Sequence, residues 1–384
     1  NILRGVAYGN GTFVAVGDSG TTLTSADGDQ WSLNQNYLTM GTTGDGNLKG
    51  VTFGNNTFVA VVESANSEYG SVFISPDGTT WNEQDSSSTI SKLFGITYAK
   101  STFVTVGYQG CILSSSNAVV STDESTQLAL YNLDDDFPED VTVAVSSSNT
   151  GEATVALHAA TLTFTPDNWM NAQTVTVTGV NDDDLDGHKD YQVGLSSEIL
   201  KVLSAGTSWS SQDSGLSNME GIKGIAYGND TFVAVGENGV ILISSDGITW
   251  TQQNSSYQGS LNGISFGNNT FVAVGDGGSI LTSTNGTSWE DNTNQDVTSG
   301  GIYGVTYGNG IFVAVGYYGS TLTSSDGTSW ESRPQYLTQY GLRGVTYGNG
   351  IFVAVGDYGT RATSSDGTSW EIIQGSVTQN TLRG

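Results

Sequence analysis

The 384 residues carry 38 Asp and Glu against 11 Lys and Arg, a net charge of −27 at pH 7. That balance excludes nucleic acid as a partner, because phosphate binding needs a basic face, and it disfavours an anionic membrane surface. No apolar run approaches the ~18 residues of a membrane span, and the 52 Gly, 4 Pro and absence of helical periodicity predict an all-β chain with tight turns and no membrane insertion.

The chain opens in a repeat. A Gly-Val/Ile-x-Tyr/Phe unit recurs at Gly5, Gly50, Gly95, Gly224, Gly263, Gly304 and Gly344. A Trp follows each, at Trp31, Trp81, Trp209, Trp250, Trp289, Trp330 and Trp370. The Gly-to-Trp distance is 26 in five copies, 31 in the second and 114 in the third, so 88 residues are inserted in the third copy. Each copy reads as four short strands. In the last these are predicted at Leu342 to Tyr347, Ile351 to Val355, Thr360 to Ser364 and Trp370 to Ile373. The Phe-Val-Ala-Val strand is apolar on both faces, as a strand between two neighbouring sheets must be. A single four-stranded sheet cannot bury both faces, whereas seven in a ring can, which predicts a seven-bladed β-propeller. Cys111, the only cysteine, reads as a small buried apolar group.

The Ser-x-Asp-Gly-x-x-Trp unit that ends each copy resembles the Asp-box of sialidase-like and photosystem-assembly-factor-like propellers. It stands at Ser25 to Trp31, Ser75 to Trp81, Ser244 to Trp250, Ser324 to Trp330 and Ser364 to Trp370; Asn285 replaces Asp in the fifth copy, and the insert splits the third. The usual box has one more residue between Asp and the aromatic. Turn chemistry accounts for the pattern: the carboxylate accepts backbone N–H bonds of its own turn and the Trp packs beneath.

The predicted domains are therefore residues 1–116 and 205–384 for the propeller and 117–204 for the insert. The insert carries alternating strands at Asp140 to Val145, Ala160 to Phe164 and Gln173 to Thr178, the pattern of a half-exposed antiparallel, Ig-like β-sandwich. Leu162 to Trp169 and Thr174 to Asp184 resemble the Calx-β-like and cadherin-like modules of large bacterial surface proteins. With 15 acidic and 2 basic residues, the insert offers dense oxygen clusters in loops. Asp136, Asp182, Asp183, Asp184 and Asp186 are candidate Ca²⁺ ligands, joined by Glu124, which the resemblance places as a ligand. A merely solvated acidic loop is the competing reading. His158 and His188 read as surface residues.

In a four-stranded meander the loops before the first strand and after the second share a face. That face varies between copies, while the other is nearly uniform. Its loops supply Asp18, Tyr69, Tyr108, Glu237, Asp276, Tyr317, Tyr318, Asp357 and Tyr358, and the loops between blades add Tyr336 and Tyr340, together with Tyr37 and Tyr257. Tyrosine rings stack on sugar C–H faces and carboxylates accept hydroxyl hydrogens, so the ring suits a glycan; it suits a peptide almost as well. Capping of blade ends is the plain alternative.

A sialidase-type site would need several clamping arginines. Arg4, Arg343 and Arg383 fall at equivalent repeat positions instead, and no acid/base pair stands apart from the repeat, so no enzyme activity is expected. The expected function is an extracellular adhesion module, binding a glycan or exposed peptide on another cell surface. The alternative is a protein-binding scaffold or assembly factor, and a glycoside hydrolase ranks below both. Thr381-Leu382-Arg383-Gly384 echoes the opening of the chain, which predicts a segment cut from a longer surface protein, monomeric as such.

Overall fold

The computed structural model describes residues 2–34, 39–40, 44–64, 70–84, 91–116, 208–216, 220–253, 255–293, 300–332 and 337–373, and five strands within 141–197. The chain divides into two compact units, Asn1–Ser116 with Ala205–Gly384, and Asn117–Ser204.

The first unit is a seven-bladed β-propeller. Each blade is an antiparallel meander whose strands pair in chain order. In the seventh blade they run Leu342–Gly348, Ile351–Gly356, Arg361–Ser364 and Glu371–Ile372. The third blade takes its fourth strand, Ser208–Gln212, from beyond the insert, and this strand pairs in unbroken register with Ile112–Ser116. The second blade gains a short fifth strand, Thr39–Met40, and has the longest hairpin, Gly44–Gly54 with Thr57–Ser64.

The second strand of each blade shows why the ring holds. Phe13, Val14, Ala15 and Val16 are fully buried, as are their counterparts around the ring. Alternation along the strand sends Phe13 and Ala15 into the seam with blade 7, and Val14 and Val16 into the seam with blade 2. Each of the seven seams so formed is one apolar cluster, and each carries one of the seven fully buried Phe residues. Burying each such ring contributes about 1.5–3 kcal/mol.

Glycine sets how closely the blades approach. A Cβ on Gly267 would fall 2.0 Å from Tyr307 Cγ of the next blade, and one on Gly348 would fall 2.3 Å from Tyr8 Cγ of blade 1. The aromatic of each first strand thus lies flat on the preceding blade's backbone, and the seventh blade meets the first in the same way as its neighbours. Every described blade draws its strands from its own repeat, and among the described residues blades 1 and 7 meet by packing, with no strand exchanged between them.

The expected turn hydrogen bonds are present. Asp246 Oδ1 accepts the backbone N–H groups of Ile248 and Thr249, both at 2.8 Å, and Ser244 Oγ accepts that of Gly247 at 2.8 Å. Trp250 Nε1 donates to Gly247 O at 3.2 Å. Asn285 replaces the carboxylate in the fifth blade and its Oδ1 accepts the same two bonds, at 2.9 and 3.0 Å. The backbone bonds hold the Asp246 and Asp326 carboxyls at about 2, below the usual carboxylate range. Partial burial pushes the Asp77 carboxyl upward, but its bonds to Thr80 and Thr79 outweigh this and leave it at about 2.

Cys111 is partly buried against the seam between blades 2 and 3, and burial lifts its thiol to about 11. Within the second unit the described strands form two antiparallel sheets. Val141–Ser147 lies between Thr161–Phe164 and Val193–Ser197, and Ala153–Val155 pairs with Val177–Gly179. The remaining residues of 117–204, on which the expected Ig-like sandwich rests, lie outside the described residues.

Candidate functional site

The first strands line the axis. Their Gly-Val or Gly-Ile pairs, from Gly5-Val6 to Gly344-Val345, surround a cavity of about 180 Å³. A Cβ on Gly344 would stand 2.8 Å from Arg4 O, and one on Gly95 would stand 2.8 Å from Lys223 O. Only glycine permits that contact between neighbouring inner strands.

Immediately before each of these glycines the ladder slips by one residue. The bulged residue is Arg4, Lys49, Phe94, Lys223, Asn262, Tyr303 or Arg343. A bulge re-aims a side chain out of the sheet's alternation. In blades 1, 2, 5 and 7 it brings the side chain to the loop after the second strand.

In six blades that loop is a single 3-10 turn of three residues, such as Asp18–Gly20 and Asp357–Gly359. Its first N–H donates to the residue before the blade's first strand: Asp18 to Ile2 O, Tyr317 to Gly301 O and Asp357 to Gly341 O, each at 2.9 Å. This bond ties the two loop families to one face. The central residue is left-handed in every case: Ser19, Gln109, Asn238, Gly277, Tyr318 and Tyr358 have φ between 52° and 66°.

The bulged residue and the first turn residue match blade by blade. Arg4 Nε and Nη2 donate to Asp18 at 2.5 and 3.0 Å, and Arg343 repeats the fork on Asp357 at 2.8 and 3.0 Å. Lys49 lies 2.5 Å from Glu63, which Lys92 reaches at 3.1 Å. Burial raises the Glu63 carboxyl, but these two lysines outweigh it and leave it below its usual range. Asn262 Nδ2 donates to Asp276 at 2.8 Å. Phe94 with Tyr108 and Tyr303 with Tyr317 place aromatics in both positions of blades 3 and 6. Lys223 and Glu237 occupy the two positions in blade 4, where Glu237 accepts the Gly221 N–H at 3.1 Å.

Asp18, Asp276 and Asp357, expected as acceptors for a ligand, are therefore engaged by side chains of their own blades. Tyrosines stand exposed on this face beside Gln109, Asn238 and Asp276. Tyr358 is 78% exposed, Tyr317 48%, Tyr318 45% and Tyr108 39%; among the described residues Ile248 is the one other exposed large apolar side chain. Three of the four sit at blades 6 and 7. There Tyr317 meets Tyr318 edge-on at 4.2 Å, and Tyr340 meets Tyr358 at 4.5 Å. The Arg343 guanidinium stacks over the Tyr303 ring at 4.3 Å. Tyr257 turns inward, its hydroxyl donating to Ser279 Oγ at 2.8 Å.

Tyr37, Tyr69 and Tyr336 lie outside the described residues, as do the candidate Ca²⁺ ligands Glu124, Asp136, Asp182, Asp183, Asp184 and Asp186. Among the described residues no three His, Cys, Asp or Glu side chains stand together as metal ligands, and no helix is long and apolar enough to cross a membrane.

Fold and site define a seven-bladed propeller with one aromatic-rich, internally ion-paired face. No protein-family model matches the chain, and no curated protein does. Solved structures share the fold. YCF48 bound to a D1 peptide is 13% identical, with a TM-score of 0.58 over 94% of this chain and 91% of that one. YCF48 from Cyanidioschyzon merolae is 13% identical, with a TM-score of 0.53 and 92% coverage of each. A catalytically inactive virginiamycin B lyase from Staphylococcus aureus, with quinupristin, is 10% identical, with a TM-score of 0.56 and 92% coverage of each. Identities this low establish the architecture alone.

Proposed function

We propose that this chain is a protein-binding propeller, which holds an extended segment of a partner across the face carrying the 3-10 turns. The observation that carries the reading is the grouping of exposed tyrosines there, three of them at blades 6 and 7. Exposed Tyr supplies large contact area at low entropic cost and marks recognition surfaces. The carboxylates that would bind sugar hydroxyls are largely taken by Arg4, Asn262 and Arg343, which favours a peptide over a glycan. YCF48 with its D1 peptide offers a precedent for peptide binding on this architecture.

The same engagement favours binding without catalysis, since a hydrolase needs carboxylates free to exchange protons. An extracellular setting, on a bacterial surface protein, remains our reading of the acidic, Cys-poor composition and the Calx-β-like insert. Calcium held by the insert belongs to that reading. Titration calorimetry with calcium should release heat and raise the melting temperature; a flat titration and unchanged melting would remove it.

The test of the main proposal is a peptide array and a glycan array probed in parallel. Peptide signals should appear with the native chain and vanish when Tyr317, Tyr318 and Tyr358 are replaced together by Ala. Saccharide signals that depend on the same residues would overturn the reading in favour of glycan adhesion.

A further inference from the structure

We infer that the seam between blades 6 and 7 selects a basic segment, seating an arginine or lysine side chain on the Tyr358 ring. The inference rests on the protein-binding reading of this face and names the chemistry of the partner.

The seam already performs this recognition on its own residue. Arg343 lays its guanidinium over Tyr303 at 4.3 Å while its Nε and Nη2 donate to Asp357. The geometry is that of a cation on a ring face, favoured by the negative potential above the π system. Tyr340 and Tyr358, packed at 4.5 Å beside the same Asp357, form a second aromatic pair. The Tyr358 ring is 78% exposed, the most open large apolar side chain described.

Backbone conformation argues that this ring is kept for a purpose. Tyr358 sits at φ 56°, where Asn or Gly would be at ease and a bulky residue is an outlier. Of the five equivalent positions, four hold Ser19, Gln109, Asn238 and Gly277 and only that of blade 6 holds another tyrosine, Tyr318, which shows that the turn itself does not need an aromatic. Such a residue persists where its side chain does something the fold does not require.

Charge selects the partner. The chain carries −27, and Arg343 is neutralised by Asp357, so its charge does not oppose an incoming cation. A basic segment is drawn in by the field of the molecule, and an acidic one is repelled.

Fluorescence anisotropy on the full chain tests this with a labelled twelve-residue Gly/Ser peptide bearing three arginines. Matched peptides carry citrulline or glutamate at the same places. The arginine peptide should bind more tightly than either. Tyr358→Asn, which keeps the turn comfortable and removes the ring, should weaken it about threefold to thirtyfold. Tyr358→Phe should hold affinity within about twofold, since the ring face is retained. Ile248→Ala, in an exposed box turn outside the proposed surface, should leave it unchanged. Equal binding by Tyr358→Asn and the native chain would mean that the diffuse field alone attracts the peptide, and would overturn the inference. Equal binding of the citrulline peptide would overturn it too, while leaving the protein-binding reading intact. Absence of binding by all three peptides would count against both.

Discussion

The pairing of the residue before each axial glycine with the residue opening each 3-10 turn decides what the face can offer. In blades 1, 2 and 7 the two are opposite charges that pair, in blade 4 Lys223 reaches Asn262 instead of Glu237, and where both are aromatic they widen an apolar surface. The fork of Arg343 on Asp357 is partly shielded, so Arg343→Ala should destabilise by about 1 kcal/mol in urea unfolding. The loss should shrink when Asp357 is replaced by Asn in the same chain, because no unpaired carboxylate is then left at the mouth. Tyr358→Asn should act in the opposite direction, stabilising by roughly 0.5 kcal/mol through relief of the left-handed strain, measured in the same assay. The column Arg4, Lys49, Phe94, Lys223, Asn262, Tyr303 and Arg343 was in plain view in the repeat. Its role was not legible, because alternation along a strand assigns each side chain to a blade face and does not reveal a bulge. The repeat puts the turn carboxylates in the loops after the second strands, yet their partners lie at the bulge of the first strand, 14 residues away in blades 1 and 7.

At the level of strands and turns, the sequence was most readable where one cause acts alone. Phe-Val-Ala-Val is buried on both sides because each sheet has two neighbours, and its composition says so. The box turns were readable for the same reason, since Ser, Asp and Gly serve local hydrogen bonds. The 3-10 turns were not, because Ser, Gln and Tyr give no sign of a left-handed backbone. Two outcomes belong to this scale. The Asp246 and Asp326 carboxyls titrate at about 2 in the folded chain, below their ordinary 3.8. Their stabilisation is therefore complete above pH ~4 and lost as pH falls through ~2, where the folded form must take up protons. Melting temperature should decline across that window, and Asp246→Asn with Asp326→Asn should flatten the decline; the Asn285 turn shows that an amide makes the same bonds. Gly267→Ala should destabilise by about 1–3 kcal/mol in denaturant unfolding, because its methyl would enter the Tyr307 ring. Blade 3 has Ala99 at this position, packed in the seam that also holds Tyr227, so the penalty falls below that of a rigid clash.

For the whole molecule, counting repeats gave the number of blades, and spacing located the interruption at residues 117–204. How the ring closes was not legible, because packing between the first and seventh blades leaves no mark in either repeat. The third blade pairs Ile112–Ser116 directly with Ser208–Gln212 across the interruption. Replacing residues 117–204 with a short box-type turn should therefore leave a cooperative propeller, with a melting temperature within a few degrees of the parent by scanning calorimetry. A broad, non-cooperative transition would show that the second unit supports the first.

The six 3-10 turns have one further consequence. They share one backbone path and one anchoring bond, yet place five different residue types at their centres. The propeller thus resembles a type case with interchangeable letters: a residue set in one blade could be moved to another without recasting the frame. Descendants of such a chain would change what they read by editing single central positions, leaving the apolar seams and axial glycines untouched.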